Sequence, residues 1–126
     1  MRDAMQSIRL RLDRVGIVLS GLCALHCLLG IALIALFGLG SVAGEAVLAP
    51  AIHRAGLALA VVVGVLTLGL GVLRHGRMEP LVIGGAGIVL MAGALFAPHG
   101  PQEALLTVAG VALVAAAHIR NLRHAA

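Results

Sequence analysis

The stretch AGLALAVVVGVLTLGLGVL, from Ala55 to Leu73, contains no charged residue and indicates a membrane-spanning helix. A transmembrane helix needs about 20 consecutive, predominantly apolar residues, and this stretch meets that requirement. The rest of the chain agrees, since 61% of its 126 residues are hydrophobic and 11% are charged. Soluble domains carry about 45–50% apolar and about 25% charged residues. The composition therefore predicts a membrane protein and excludes a soluble enzyme.

Three further apolar runs surround this stretch, and prolines or basic residues separate them. We predict an all-α integral membrane protein whose four transmembrane helices form an up-down bundle with short connections. The predicted spans are residues 15–39, 55–73, 81–97 and 104–119, between a basic segment at 1–14 and a basic tail at 120–126. The fourth run is the shortest and is near the lower limit for a full crossing, so the alternative is a partly interfacial helix.

The basic residues predict how the bundle is oriented. The chain has nine of them, all arginine, against five acids. All except Arg54 lie in the first segment, in the connection between spans two and three, or in the tail. Cytoplasmic loops carry an excess of basic residues, so both termini are predicted to be cytoplasmic. Nucleic acid is not an expected partner, because the chain has only two Phe and neither Trp nor Tyr for base stacking.

The first predicted span carries a cluster of polar side chains on one face. Cys23 and Cys27 lie about 40° apart around the helix, with Ser20 on the same face and His26 about 60° to the other side of Cys23. Thiolates select soft or borderline ions, and imidazole adds affinity for zinc, copper or nickel. We therefore predict that Cys23 and Cys27 are metal ligands supported by His26, and that binding weakens at low pH.

Two other interpretations of the cysteines remain open. A disulfide between positions i and i+4 would have to bridge Cα atoms about 6 Å apart, near the upper end of disulfide geometry. Alternatively, both cysteines pack as small hydrophobic side chains, as free cysteine often does.

Polar residues near the ends of the spans are weaker candidates for an ion pathway. His53 precedes the second span, where an exposed interfacial position is the ordinary alternative. His118 and Asn121 share a face at the end of the fourth span, and Asp13 extends the Cys23–Cys27 face toward the cytoplasm.

Other chemistry is not expected. Glu45 and Glu103 are interpreted as loop acids without a specific role, and no carboxylate is assigned to the interior of a span. No phosphate-binding glycine loop and no nucleophile–base set is visible, so we expect neither an ATP-driven pump nor an enzyme. Small-residue faces serve helix contacts within one chain or between copies, so a homo-oligomer remains open.

The sequence resembles the MerC-type family of mercury-resistance and related small membrane proteins. The resemblance rests on Asp13, the cysteine–histidine–cysteine segment at 20–27, His53-Arg54 and the segment at 117–121, and it covers nearly the whole chain. It implies a bacterial inner-membrane protein that takes up mercuric ion through Cys23 and Cys27. The cysteines near the carboxyl terminus that many such transporters have are missing here, and Gly30 stands where many relatives have a proline.

Residues and resemblance together predict a membrane transporter for a soft divalent ion, most readily mercuric ion. Its transport would be passive or coupled to an existing gradient. We expect His53 to contact the ion on the outer side of the membrane, and His118 with Asn121 to contact it on the inner side. No permanently bound cofactor is expected. One alternative is a zinc transporter or a membrane metal sensor that binds without flux. The other is a structural or haem-associated membrane protein, whose Soret absorption would survive replacement of both cysteines.

Overall fold

The computed structural model describes residues 1–38, 50–98 and 100–125, which form four helices and no strand. The helices are α1 (Arg2–Phe37), α2 (Pro50–His75), α3 (Glu79–Ala94) and α4 (Pro101–Ala125). Helices α1, α2 and α4 are long and apolar enough to cross a membrane, and α3 is a shorter apolar helix. The prediction of an all-α membrane protein is therefore confirmed.

The helices extend beyond the apolar runs at several ends. Helix α1 begins at Arg2 and so includes the basic segment, while α4 continues to Ala125 and α3, with 16 residues, is the shortest. Hydropathy underestimates the length of α4, because polar side chains near both of its ends are buried against other helices. Leu39, Glu45 and Ala126 lie outside the described residues.

Side chains in this bundle are arranged oppositely to those of a soluble domain. Large apolar side chains along α1, such as Leu22 and Leu25, face outward, as expected where the surroundings are lipid. The interior contains a set of buried polar side chains instead. The buried polar residues are Asp13, Ser20, His53, Thr67, Glu103, Thr107, His118 and Asn121.

Glycines allow α3 and α4 to pack against each other at backbone distance. A Cβ atom placed on Gly87 would lie 2.5 Å from the carbonyl oxygen of Gly110, and one on Gly110 would lie 2.6 Å from that of Gly87. Apolar side chains do not drive helix association in lipid, so close approach at small residues supplies the packing. This contact fixes α3 on α4 beside a core that contains Met91, Val111 and Val114.

Contacts near the helix ends define an up-down order. Asp13, near the start of α1, contacts His118, near the end of α4. At the opposite end of the bundle, Cys27 of α1 contacts His53 of α2, which contacts Glu103 of α4. We call the Asp13 end the arginine-rich end, because Arg9, Arg74 and Arg120 also lie there. Its assignment to the cytoplasmic side remains a prediction.

Candidate metal centre

A group of three metal-ligand side chains joins α1 to α2. Sγ of Cys27 lies 3.6 Å from Nε2 of His53, and both side chains are buried. The imidazole of His26 meets that of His53 edge-on, with ring centroids 5.9 Å apart. One ligand atom from each of His26, Cys27 and His53 lies within 4.8 Å of the others. We call these three residues the thiol cluster.

Glu103 holds His53 from the opposite side of the ring. Oε1 of Glu103 lies 3.0 Å from Nδ1 of His53, and the two side chains are only 3% and 7% exposed. A carboxylate accepts hydrogen bonds, so this contact favours the tautomer of His53 with its ring proton on Nδ1 and a lone pair on Nε2, the nitrogen that faces Cys27. Carboxylate–histidine pairs of this kind orient metal-binding imidazoles and raise their basicity.

Glu103 is the residue of this candidate site that the sequence pattern does not reveal. It was interpreted as a loop acid, whereas it lies in the first turn of α4 and is 2% exposed. Pro101, two positions earlier, indicates the start of a helix, because proline favours the first turn. An acid such as Glu103 is also favourable in that turn. The interpretation of Glu103 is corrected accordingly.

A cleft of about 320 Å³ gives access to the thiol cluster between α1 and α2. Cys23 lies on this cleft one helical turn from Cys27, beside Gly56, where an added Cβ atom would lie 3.6 Å from the Cys23 sulfur. Most of the remaining lining is apolar, namely Leu19, Leu22, Ile52, Leu59 and Met91. An ion that enters must therefore exchange water for protein ligands.

The structure groups the predicted ligands differently from the sequence. Cys23, Cys27 and His26 were expected to form the site, but the three-residue group contains His53 in place of Cys23. His53 is buried at 9% exposure rather than exposed at the interface, because Glu103 and α1 cover it. Both cysteines are free thiols, and Cys27 is 1% exposed.

A second buried polar cluster lies at the arginine-rich end. Oδ1 of Asp13 lies 2.8 Å from Nδ1 of His118, and Nδ2 of Asn121 donates to Oδ2 of Asp13 at 2.9 Å. Oδ1 of Asn121 lies 2.9 Å from Nε2 of His75. Asp13 is 2% exposed, so a carboxylate is buried in the bundle just before the first predicted span. The apolar runs miss Asp13 because it lies just before the first of them, where α1 is already packed against α4.

Ser20 is placed between the two clusters. It is 5% exposed and faces the same interior space as Cys23 and His118. The predicted pathway residues of α1 therefore share one buried face, as the helical spacing indicates.

The length and apolar composition of the helices define a membrane protein. The buried thiol–imidazole cluster between α1 and α2 is a candidate site for a soft metal ion. The family comparison agrees with that class. The family model of the MerC mercury resistance protein matches residues 13–123, and the chain belongs to this family. The match begins at Asp13 and includes both buried clusters. No curated protein and no solved structure matches the chain.

Proposed function

We propose that this protein carries mercuric ion across the bacterial inner membrane and captures it at the thiol cluster and Cys23. The observation that carries the proposal is the 3.6 Å contact between Sγ of Cys27 and Nε2 of His53 inside a bundle whose surroundings are apolar. The family model, described as the MerC mercury resistance protein, supports mercuric ion as the proposed substrate of this contact.

Mercuric ion favours two thiolates in a linear arrangement, and soft ligands select soft ions. Cys23 and Cys27 both face the cleft and supply two sulfur atoms on one helix face. A thiol must lose its proton before it binds a metal ion. Nε2 of His53 is the acceptor for the Cys27 proton, and the Glu103 carboxylate stabilises the imidazolium that results.

The direction of transport follows from the arginine distribution. The arginine-rich end is assigned to the cytoplasm by the positive-inside rule. The thiol cluster is then near the outer surface, where an incoming ion arrives. The movement is inward and uses the ion's own gradient, with intracellular thiols keeping the free concentration inside low.

Zinc is the second candidate, and the composition of the thiol cluster favours it. Two imidazoles and one thiolate within 4.8 Å of one another provide three ligands, and zinc accepts nitrogen and sulfur with a fourth position left open. In that case His53 is a ligand rather than a proton acceptor, and Cys23 is not required.

Uptake of mercuric ion into proteoliposomes tests the proposal. The reduced wild-type protein is compared with Cys27→Ser and with the control Ala35→Ser, which adds a hydroxyl group to an exposed site on the same helix. We expect wild type and control to transport and Cys27→Ser to lose at least nine-tenths of the flux. Equal flux from Cys27→Ser and wild type would overturn the proposal, and stoichiometric binding without flux would indicate a sensor instead.

A further inference from the structure

The imidazole of His118 leaves one nitrogen atom without a hydrogen bond deep in the bundle. The residue is 1% exposed, and its Nδ1 is engaged by Asp13. Within the part of the chain that the structure describes, Nε2 of His118 has no hydrogen-bond partner. The ring edge that carries Nε2 packs against Gly16, where an added Cβ atom would overlap Nε2 and come within 2.6 Å of Cδ2 and Cε1.

The Asp13 contact determines what this free nitrogen can do. A carboxylate accepts hydrogen bonds, so the Asp13 contact favours the tautomer of His118 whose ring proton is on Nδ1. In that tautomer Nε2 presents a lone pair. His118 with Asp13 thus repeats the arrangement of His53 with Glu103, in which a carboxylate on Nδ1 leaves Nε2 available as a ligand.

A small cavity lies between His118 and the face of α1 that carries Ser20 and Cys23. Its volume is about 10 Å³, close to that needed for one water molecule. Cys23, Ser20 and His118 supply its polar lining, and the rest is glycine and apolar side chains. Cys23 also lines the larger cleft beside the thiol cluster, so this residue borders both spaces.

We propose that Nε2 of His118 is a second ion-binding position, which receives mercuric ion from the cysteine pair through Cys23. The proposal rests on the proposed function and assigns the step that follows capture. It makes Asp13 a positioning residue, because the carboxylate acts through the tautomer of His118 and does not touch the ion.

The transfer is a ligand exchange without oxidation or reduction. The mercury–sulfur bond to Cys27 breaks and a bond to Nε2 of His118 forms, while the bond to Cys23 is retained. The electron pair of the broken bond stays on Cys27, which recovers its proton from the His53 imidazolium. The ion keeps its charge, and the thiol cluster returns to its starting protonation state.

The proposed position at His118 is adjacent to a cleft at the arginine-rich end of the bundle. On the far side of His118, Asp13 and Asn121 line an open cleft of about 260 Å³ at the arginine-rich end. Imidazole nitrogen is a harder ligand than thiolate and holds a soft ion less tightly. Exchange of one sulfur for nitrogen therefore prepares the ion for release to stronger thiol ligands outside the protein.

The test separates capture from onward movement with mercuric ion alone as the probe. In proteoliposomes, we expect His118→Ala to retain mercuric binding at the cysteine pair within about twofold while uptake falls at least tenfold. Ile119→Ala truncates the exposed neighbour of His118 on α4, which lines neither the small cavity nor the open cleft, and it should transport like wild type. Gly16→Ala retains His118 but displaces its ring, so it should reproduce the transport defect and serves if His118→Ala does not fold.

A second measurement identifies the ligand directly. In the Cys27→Ser protein, X-ray absorption at the mercury edge should show one sulfur and one nitrogen neighbour, and adding His118→Ala should weaken binding at least tenfold. Unchanged uptake in the folded His118 and Gly16 variants, or equal affinity with and without His118 in the Cys27→Ser background, would overturn this inference. Failure of the wild type to take up mercuric ion would instead remove the proposed function itself.

Discussion

Nδ1 of His53 lies 3.0 Å from Oε1 of Glu103, and this contact joins the start of α2 to the start of α4. It orients the ring so that Nε2 faces the Cys27 sulfur, and the carboxylate favours the tautomer with the ring proton on Nδ1. The same relationship recurs between Asp13 and His118 at the arginine-rich end. Two buried histidines are thus both held by carboxylates that other helices supply.

Replacement of Glu103 tests whether this contact orients the thiol cluster. Glu103→Gln keeps the shape of the side chain but removes the negative charge that faces Nδ1 of His53. We expect mercuric affinity to fall about 10- to 100-fold, the usual effect of losing a carboxylate behind a metal-site histidine. Competition titration against a chelator measures the change.

The matched control for that experiment is Glu79→Gln. Glu79 pairs with Arg120 at the opposite end, and both side chains are about half exposed, with 45% and 51% of their surface accessible. Exposed ion pairs contribute little, and this one is remote from the thiol cluster. If Glu79→Gln weakens binding as much as Glu103→Gln does, the effect is a general charge effect.

Proton release on binding tests the role of His53. Two thiols lose protons when mercuric ion binds, and His53 is proposed to keep one of them, so the wild type should release fewer protons to the buffer than His53→Asn. For the same reason, mercuric affinity should fall as the pH is lowered, since protons compete for the thiolates. Calorimetry in buffers of different ionisation enthalpy counts the released protons. Equal counts for both proteins would rule out the proposed acceptor.

Cys23 distinguishes the two candidate ions. Mercuric ion needs both thiolates, whereas zinc can bind at His26, Cys27 and His53. Cys23→Ser should therefore weaken mercuric binding at least 100-fold and change zinc binding by less than threefold. Parallel titrations with the two ions decide the point. A loss of zinc binding that equals the loss of mercuric binding would contradict this division of ligands.

The α3–α4 contact makes a prediction about stability. Gly87→Ala places a methyl group against the backbone of Gly110, and such overpacking costs about 1–3 kcal/mol in free energy of unfolding. Gly85→Ala is the matched control on the same helix, because a Cβ atom there meets no atom within 4 Å. Thermal unfolding in detergent should show a lower midpoint for Gly87→Ala only. Equal midpoints would mean that the two helices can separate at this contact without cost.

The helical membrane fold could be predicted because it depends on local composition. The uncharged stretch from Ala55 to Leu73 requires a helix in lipid whatever surrounds it, since every backbone polar group must be paired within the segment. The Cys23 and Cys27 face could also be predicted, because helical spacing alone places the two side chains together.

The partners across helices could not be predicted in this way. Glu103 meets His53, and Asp13 meets His118, only because of the depth at which α4 packs against α1 and α2. Hydropathy assigned both acids to regions outside the spans, since a charged residue lowers the local average even when it is paired and buried. The contact between Cys27 and His53 also depends on how α2 packs against α1, so helical spacing within one helix does not reveal it.

The most direct test of the central claim is mercuric-ion binding to the reduced, detergent-purified protein beside Cys27→Ser and the Ala35→Ser control. If Cys27 and its contact with His53 form the capture site, wild type and control bind one ion per chain, and Cys27→Ser binds at least 100-fold more weakly. If Cys27→Ser binds with the affinity and stoichiometry of the wild type, the thiol cluster is only a packing contact and Cys27 is not part of a capture site.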